Sequence, residues 1–278
     1  MKMKGIGLWA AILLASAAVF AASRFLSPPA ATEKLTITGS STIAPLIAEM
    51  AKRYESMHRD VRIDVQTGGS SRGLADTRNG LAQIGMVSRS PKHGEDDLAW
   101  HPIARDGICI IVHRDNPIET LTDEEIVAVY SGAVRNWKDL GGRHAPITTV
   151  NKAQGRSTLE VFEKHFGIAG DTVRADIVIG DNQQGIKTVA GNPNAIAYVS
   201  IGAAEYEEHR GVPIKRLRSR GVEASVEHVR DGTFPVARTL HLVTRGMPEG
   251  VARNFIEVCQ SALVHDLIEK QFFVATNE

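Results

Sequence analysis

A glycine- and serine-rich loop, residues 67–73 (TGGSSRG), is the stretch that most constrains how this chain can fold. Before it, residues 61–65 alternate apolar and charged side chains, which is the period-2 pattern of a half-buried strand. After it, Leu74 and Leu81 bracket a short helical segment that ends at residues 79–80 (NG). The start of a helix presents unpaired N–H groups and partial positive charge, so this loop is predicted to hold a small anion.

The same order of strand, loop and helix occurs twice more. Residues 35–38 (LTIT) are strand-like and lead into residues 39–42 (GSST), and residues 147–150 (ITTV) lead into residues 151–158 (NKAQGRST). A fourth loop, residues 180–185 (GDNQQG), has the same placement but offers amides instead of hydroxyls. For any one copy, an ordinary helix cap explains the hydroxyl residues. Repeated loops with hydroxyl and cationic donors favour a shared anion site.

Charge and composition exclude some classes of function. The chain has 278 residues, which allows one large or two medium domains, and its Lys+Arg and Asp+Glu totals are equal at 32 each. Aromatic residues make up only 5% of the sequence, and no basic run is interleaved with them. We therefore expect no nucleic-acid binding. No Cys or His spacing typical of a metal site occurs, so we expect no bound metal.

The N-terminal residues 1–31 have the pattern of a targeting segment. Lys2 and Lys4 precede an uncharged apolar run over residues 5–22, and residues 28–31 (PPAA) form a linker. Residues 19–21 (VFA) fit the small-residue cleavage site of a secretory signal peptide. The alternative is an uncleaved membrane anchor, since the run just reaches spanning length. Both interpretations place the body of the protein outside the cytoplasm.

The mature chain alternates strands and helices, which predicts an α/β fold with mostly parallel sheets. We expect the chain to cross between two lobes near residues 113 and 237, so that residues 32–112 and 238–278 form lobe I and residues 113–237 form lobe II. In the second lobe, Thr122 and Glu125 have the spacing of a capping box.

Two further features concern the cysteines and the C-terminus. Apolar residues between 251 and 267 predict one long amphipathic helix. Export would permit a disulfide between Cys109 and Cys259, but both lie in apolar surroundings, and buried free thiols explain them equally well.

Several short segments, taken together, resemble one known family. The segments GSST (39–42), GSS (69–71) and IGMVSR (84–89) occur in order, and further matching segments are residues 121–142, 194–198 and 234–235. The chain resembles the substrate-binding protein of the high-affinity phosphate ABC importer, a type II periplasmic binding protein. The resemblance covers residues 34–274.

The resemblance implies two α/β lobes that close on inorganic phosphate in the cleft between them, without catalysing a reaction. It implies a periplasmic protein that hands phosphate to the membrane permease subunits of an ABC importer. We expect a monomer with no cofactor. The residues that match the family's ligand positions, or lie beside them, are Ser41, Thr42, Ser70, Ser88, Arg89, Arg156, Ser157 and Thr158.

Two positions depart from the family pattern. Lys152 stands where the family has an arginine, although Arg156 lies nearby in sequence. Ser88 stands where many members have an aspartate that accepts the proton of hydrogen phosphate. A binding protein for another oxyanion, such as sulfate or molybdate, therefore remains an alternative.

A secreted serine hydrolase is the alternative from another class. Residues 69–73 (GSSRG) satisfy the pattern G-x-S-x-G, with Ser71 as the candidate nucleophile. Downstream candidates exist for the base and for the orienting acid: His228, His241, His265, Asp181 and Asp231. Against this interpretation, the helix after the motif is short and polar, and no His-Gly-Gly segment precedes it.

Overall fold

A computed structural model describes residues 33–276 of the chain. The predicted targeting segment, residues 1–31, lies outside the described residues. Within the described part, no helix has both the length and the apolar character needed to cross a membrane.

The described chain alternates strands and helices, as the hydrophobic pattern predicts. The strands are β1 (Glu33–Gly39), β2 (Val61–Thr67), β3 (Ile84–Val87), β4 (Ala99–His113), β5 (Thr148–Lys152), β6 (Ile177–Ile179), β7 (Ala195–Ser200), β8 (Ile214–Arg216), β9 (Ala237–Thr244) and β10 (Val274–Ala275). The α-helices are α1 (Ala44–Met57), α2 (Ser70–Arg78), α3 (Asp123–Ser131), α4 (Ser157–Phe166), α5 (Asn182–Gly191), α6 (Ile201–His209), α7 (Val226–Arg230), α8 (Gly250–Cys259) and α9 (His265–Lys270). Short 3-10 turns lie at Trp137–Leu140 and Ala262–Val264.

The strands follow the order β2-β1-β3-β9-β4-β7-β5-β6. β1 pairs in parallel with β2 and β3, and β5 pairs in parallel with β6 and β7. β9 and β4 are antiparallel to their neighbours and join these two parallel groups. Each group has its own hydrophobic core, one around α1 and α8 and the other around α3, α4 and α5. The two-lobed α/β fold predicted from the sequence is confirmed.

Strand β4 runs through both lobes. Its first half pairs with β9, whereas the half from Ile108 to Val112 pairs with β7 and packs in the second core. The boundary expected after residue 112 therefore falls in the second lobe's sheet. We propose that the first crossing lies at Gly107–Ile108 and that the second lies at the start of β9, close to the predicted residue 237.

The C-terminal helix differs from the prediction. Instead of one long helix between residues 251 and 267, the chain forms α8 and α9 with a 3-10 turn between them. The Ser261 side chain accepts a hydrogen bond from the Leu263 N–H, which caps that turn and stops the helix from continuing. Leu263, counted in the apolar pattern, is 60% exposed as a result. Cys109 and Cys259 are both buried and free.

Candidate functional site

The loops singled out in the sequence all follow the carboxyl ends of parallel strands. In the first lobe, β1, β2 and β3 are neighbours, and each leads into a loop or a helix start that contains serine. In the second lobe, β5 and β6 lead into the loops before α4 and α5. Neighbouring parallel strands end at one edge of a sheet, and α/β proteins bind their ligands there. The cleft between the lobes therefore receives the loops from both sides.

Three buried serines form a cluster in the first lobe. Ser40 Oγ lies 3.0 Å from Ser88 Oγ, and the Ser88 N–H donates to Ser70 Oγ at 3.3 Å. Because Ser70 Oγ accepts this bond, its own hydrogen stays available for a ligand. The Thr42 N–H donates to Ser40 Oγ at 3.3 Å, which connects the start of α1 to the cluster. Ser40 was not among the predicted ligands, although it lies in the GSST segment.

Gly69 allows the two lobes to approach each other. It has a φ of +94°, and a Cβ atom at this position would lie 2.7 Å from the Gly155 carbonyl oxygen of the second lobe. Next to it, the Ser71 N–H donates to that same oxygen at 3.2 Å. A side chain at residue 69 would therefore both strain the backbone and separate the loops.

Helix α4 contributes unpartnered donors from the second lobe. Arg156 occupies its N-cap position without a side-chain bond to the first turn. Two buried polar atoms there, Ser157 Oγ and Arg156 Nε, have no hydrogen-bond partner among the described residues. A helix N-terminus that is also lined by unpartnered donors is suited to an oxyanion.

Arg238 connects the two groups of loops. Its Nη1 donates to Thr158 Oγ1 at 3.0 Å and to the Ser88 carbonyl oxygen at 3.3 Å. Its Nε and Nη2 donate to Asp106 Oδ2 at 3.1 and 2.7 Å, and both side chains are almost fully buried. Asp106 also accepts bonds from Ser200 Oγ and the Gly202 N–H. The sequence prediction missed Arg238 and Asp106, and the available signal was a charged side chain within β9 and within β4, where Arg105 stands beside Asp106.

A second connection across the cleft runs through Asn182. The Lys152 ammonium donates to Asn182 Oδ1 at 3.0 Å, and Asn182 Nδ2 donates to Thr42 Oγ1 at 3.2 Å. Lys152 is only 3% exposed, and this burial lowers its pKa to about 7. The Asn182 amide, which belongs to the fourth loop, therefore joins the predicted ligand Thr42 to the buried amine of Lys152.

Arg89 has other partners than the serine cluster. Its Nη1 and Nη2 donate to the Glu95 carboxylate at 2.8 and 2.7 Å. Its Nε lies 2.8 Å from Glu160 Oε2 on α4, in an ion pair without hydrogen-bond alignment. Lys92 forms an ion pair with the same Glu160. The Arg89 guanidinium, which was predicted as an anion ligand, thus contacts two carboxylates, and its ion pair with Glu160 connects the lobes.

Hydrogen bonds link four of the eight predicted residues into one network. These bonds connect Thr42, Ser70, Ser88 and Thr158, in part through the side chains of Ser40 and Arg238. Ser157 and Arg156 lie beside Thr158 at the start of α4. Ser41 lines a cavity of about 540 Å³ together with Thr42 of the first lobe and Asn182 of the second. Among residues 33–276, no cluster of three or more His, Cys, Asp or Glu side chains is placed to hold a metal ion.

Ser71, the candidate nucleophile, is exposed in the first turn of α2. No hydrogen bond joins it to a histidine in the described part of the chain. Two of the candidate bases have other partners: His228 Nδ1 lies 2.9 Å from Ser225 Oγ, and His241 Nδ1 lies 3.1 Å from the Arg89 carbonyl oxygen. Among the described residues, no histidine is therefore placed as a hydrogen-bonded base for Ser71.

Comparison with known proteins adds independent information. The phosphate-binding protein PstS of Bacillus subtilis is 29% identical over 235 residues, which cover 83% of this chain and 76% of that protein. A Clostridium perfringens protein described as a phosphate ABC transporter substrate-binding protein, solved with bound phosphate, superposes with a TM-score of 0.81 at 29% identity. That match covers 87% of this chain and 99% of the other. The phosphate transport receptor of Vibrio cholerae shares the fold, with a TM-score of 0.68 at 24% identity over the same shares.

The Bacillus subtilis and Clostridium perfringens proteins are named as binding proteins, so the hydrolase alternative is not favoured. The sequence model of the PBP superfamily domain matches residues 27–262, which is most of the chain. The family and the two-lobed fold inferred from short motifs agree with this match. The chain therefore belongs to the PBP superfamily, and within it is similar to the phosphate-binding protein PstS.

Proposed function

We propose that this chain captures inorganic phosphate between its two lobes and delivers it to an ABC permease, without catalysing a reaction. The observation that carries the proposal is the pair of buried, unpartnered donors at the start of α4, Ser157 Oγ and Arg156 Nε. They lie beside Thr158, which Arg238 connects to the serine cluster of the other lobe. Relatives that bear the name of phosphate-binding protein support the choice of ligand.

The donors present are sufficient for tight binding of a dianion. Burying such a charge without partners would be prohibitive, so it needs several hydrogen bonds. A hydrogen bond to a charged group contributes roughly 1.5–3 kcal/mol. Four or five of them reach the roughly 8 kcal/mol of micromolar affinity, even after the costs of association and lobe closure.

We assign two kinds of role to the predicted residues. The anion ligands are the hydroxyl and N–H groups of the cleft loops and one guanidinium: Ser41, Thr42, Ser70, Ser88, Arg156, Ser157 and Thr158. Arg89, whose guanidinium lies between Glu95 and Glu160, stabilises the closed arrangement of the lobes instead. Closure around the ligand is a hinge motion of the crossing strands β4 and β9.

We also propose where the protein acts and which partner receives the phosphate. The targeting pattern of residues 1–31 supports export to the periplasm, with the protein free or tethered by an uncleaved anchor. There a monomer would collect phosphate and pass it to the permease subunits of an importer. The named transporter component from Clostridium perfringens supports this role.

Titration of the purified chain by calorimetry tests the proposal. We expect saturable heat at one phosphate per chain, with a dissociation constant in the micromolar range. Sulfate and molybdate, titrated in parallel and in competition, test the alternative oxyanions. The absence of heat at millimolar phosphate, or displacement of phosphate by equimolar sulfate, would count against phosphate as the ligand.

A further inference from the structure

Lys152 is a buried amine at the edge of the proposed site. It ends strand β5, is 3% exposed, and donates from Nζ to Asn182 Oδ1 at 3.0 Å. Asn182 Oδ1 also accepts a hydrogen bond from the Ser200 N–H at 3.4 Å, and this bond orients the amide oxygen towards the lysine. Its Nδ2 donates to Thr42 Oγ1, so the amine lies one amide away from the cleft. Among the described residues, none forms an ion pair with Lys152.

The charges around this amine come from three other segments. Asp181, the N-cap of α5, favours the charged amine, whereas Arg156 before α4 and Arg238 on β9 disfavour it. Desolvation is the largest influence, and together these lower the pKa of Lys152 to about 7. Arg238 is itself neutralised by Asp106 on β4, so two carboxylates balance the two guanidinium groups, and no net negative charge lies beside the buried amine to keep it protonated.

We propose that the Lys152 amine takes up a proton from solution when the oxyanion binds, so that this chain captures its ligand together with a proton. A dianion bound among Arg156, Arg238 and Lys152 makes the local charge negative and favours the ammonium form. The ammonium then adds charge and donors to the ligand cage, whereas the neutral amine adds neither. This inference rests on the proposed function only in that an oxyanion must bind in the cleft.

Linkage gives the proposal two measurable consequences. Above pH 8 the unliganded amine is mostly neutral, so binding takes up close to one proton per anion. The affinity then falls by about tenfold for each pH unit above 8. Inorganic phosphate remains almost entirely the hydrogen phosphate dianion between pH 8 and 9, so the ligand itself does not change in this window.

Calorimetry at pH 8.5 in buffers of different ionisation enthalpy measures the proton uptake. The variant Lys152→Arg keeps a positive charge that does not titrate in this range, so we expect phosphate binding with no uptake. Lys152→Met should show no uptake and affinity at least tenfold weaker. The control Lys52→Arg changes an exposed lysine on α1 that pairs with Glu49, and should behave like the unmodified chain. Circular dichroism verifies that each variant is folded.

The results separate this inference from the proposed function. Equal proton uptake by the unmodified chain and by Lys152→Arg, or no uptake by either, overturns the inference while phosphate binding stands. Binding of sulfate but not phosphate, with uptake that Lys152→Arg abolishes, overturns the proposed ligand but supports the inference. If neither anion binds, both fail. If both lysine variants misfold, the binding heat of the unmodified chain in the different buffers still tests the inference, because the absence of proton uptake would contradict it.

Discussion

Arg238 and Asp106 lie directly opposite each other on β9 and β4 and form a buried ion pair, with Nη2 2.7 Å from Oδ2. These are the two strands at which we propose that the chain crosses between the lobes. The carboxylate holds two nitrogens of the guanidinium, and the third nitrogen reaches Thr158 and Ser88. The ion pair therefore orients one donor towards residues of both lobes at the point where they meet.

Removal of the guanidinium should leave Asp106 buried with only its bonds from Ser200 and Gly202. We expect Arg238→Met to lower the free energy of unfolding by about 3–5 kcal/mol, because an uncompensated buried charge is costly. Urea denaturation measures this. The double variant with Asp106→Asn should recover part of the loss, and a double variant less stable than Arg238→Met would contradict the assignment of the loss to the stranded carboxylate.

The cleft loops could be predicted because their signals are local. Glycines and hydroxyl residues directly after a strand appear in the sequence as short contiguous motifs, and the structure places those loops at the cleft. The capping box of Thr122 and Glu125 at the start of α3 is likewise confirmed, since its two partners lie three residues apart.

Other features depend on contacts that no local pattern contains. Asp106 and Arg238 lie 132 residues apart in sequence, and only the antiparallel register of β4 and β9 makes them opposite. The prediction that Arg89 is a ligand used its place beside Ser88, and no local pattern shows the ion pair of its guanidinium with Glu160 on the other lobe. The apolar run of β4 gave no sign of where the strand passes from one lobe to the next.

Removal of the Ser157 hydroxyl should weaken phosphate binding without lowering the stability of the fold. The hydroxyl is buried without a partner in the unliganded chain, so Ser157→Ala should leave the free energy of unfolding unchanged or slightly increased. Phosphate affinity should fall by about 10- to 100-fold, since a bond to a charged ligand is lost. Calorimetry and urea denaturation give the two values.

Ser200→Ala serves as the matched control for that variant. Its hydroxyl donates to Asp106 at 3.0 Å and is buried, so its removal should destabilise the fold by roughly 1–3 kcal/mol. A Ser157→Ala variant that loses as much stability as Ser200→Ala, with unchanged affinity, would show that Ser157 has a structural role instead.

A substitution at Glu160 tests whether its ion pairs with Arg89 and Lys92 hold the lobes together. The variant Glu160→Gln removes the charge that Arg89 and Lys92 share across the cleft. We expect phosphate affinity to fall by about 5- to 30-fold through faster release, as closure loses a partly buried ion pair worth roughly 1–2 kcal/mol. Stopped-flow measurement of phosphate release gives the rate. Glu257→Gln, which removes an exposed pair with Arg253 on α8, should leave the rate unchanged.

Lys152 gives the stability of the unliganded chain a specific pH dependence. Its pKa falls from 10.5 to about 7 on folding, because burial disfavours the charged amine. Between these values the unfolded chain binds a proton that the folded chain does not, so the lysine's contribution to stability increases with pH, by about 1.4 kcal/mol per pH unit. In phosphate-free buffer, the difference in free energy of unfolding between the unmodified chain and Lys152→Met should therefore shift by about 2 kcal/mol in favour of the lysine from pH 7.5 to 9. Urea denaturation at both pH values measures it. A difference that stays constant with pH would mean that Lys152 remains charged when the site is empty.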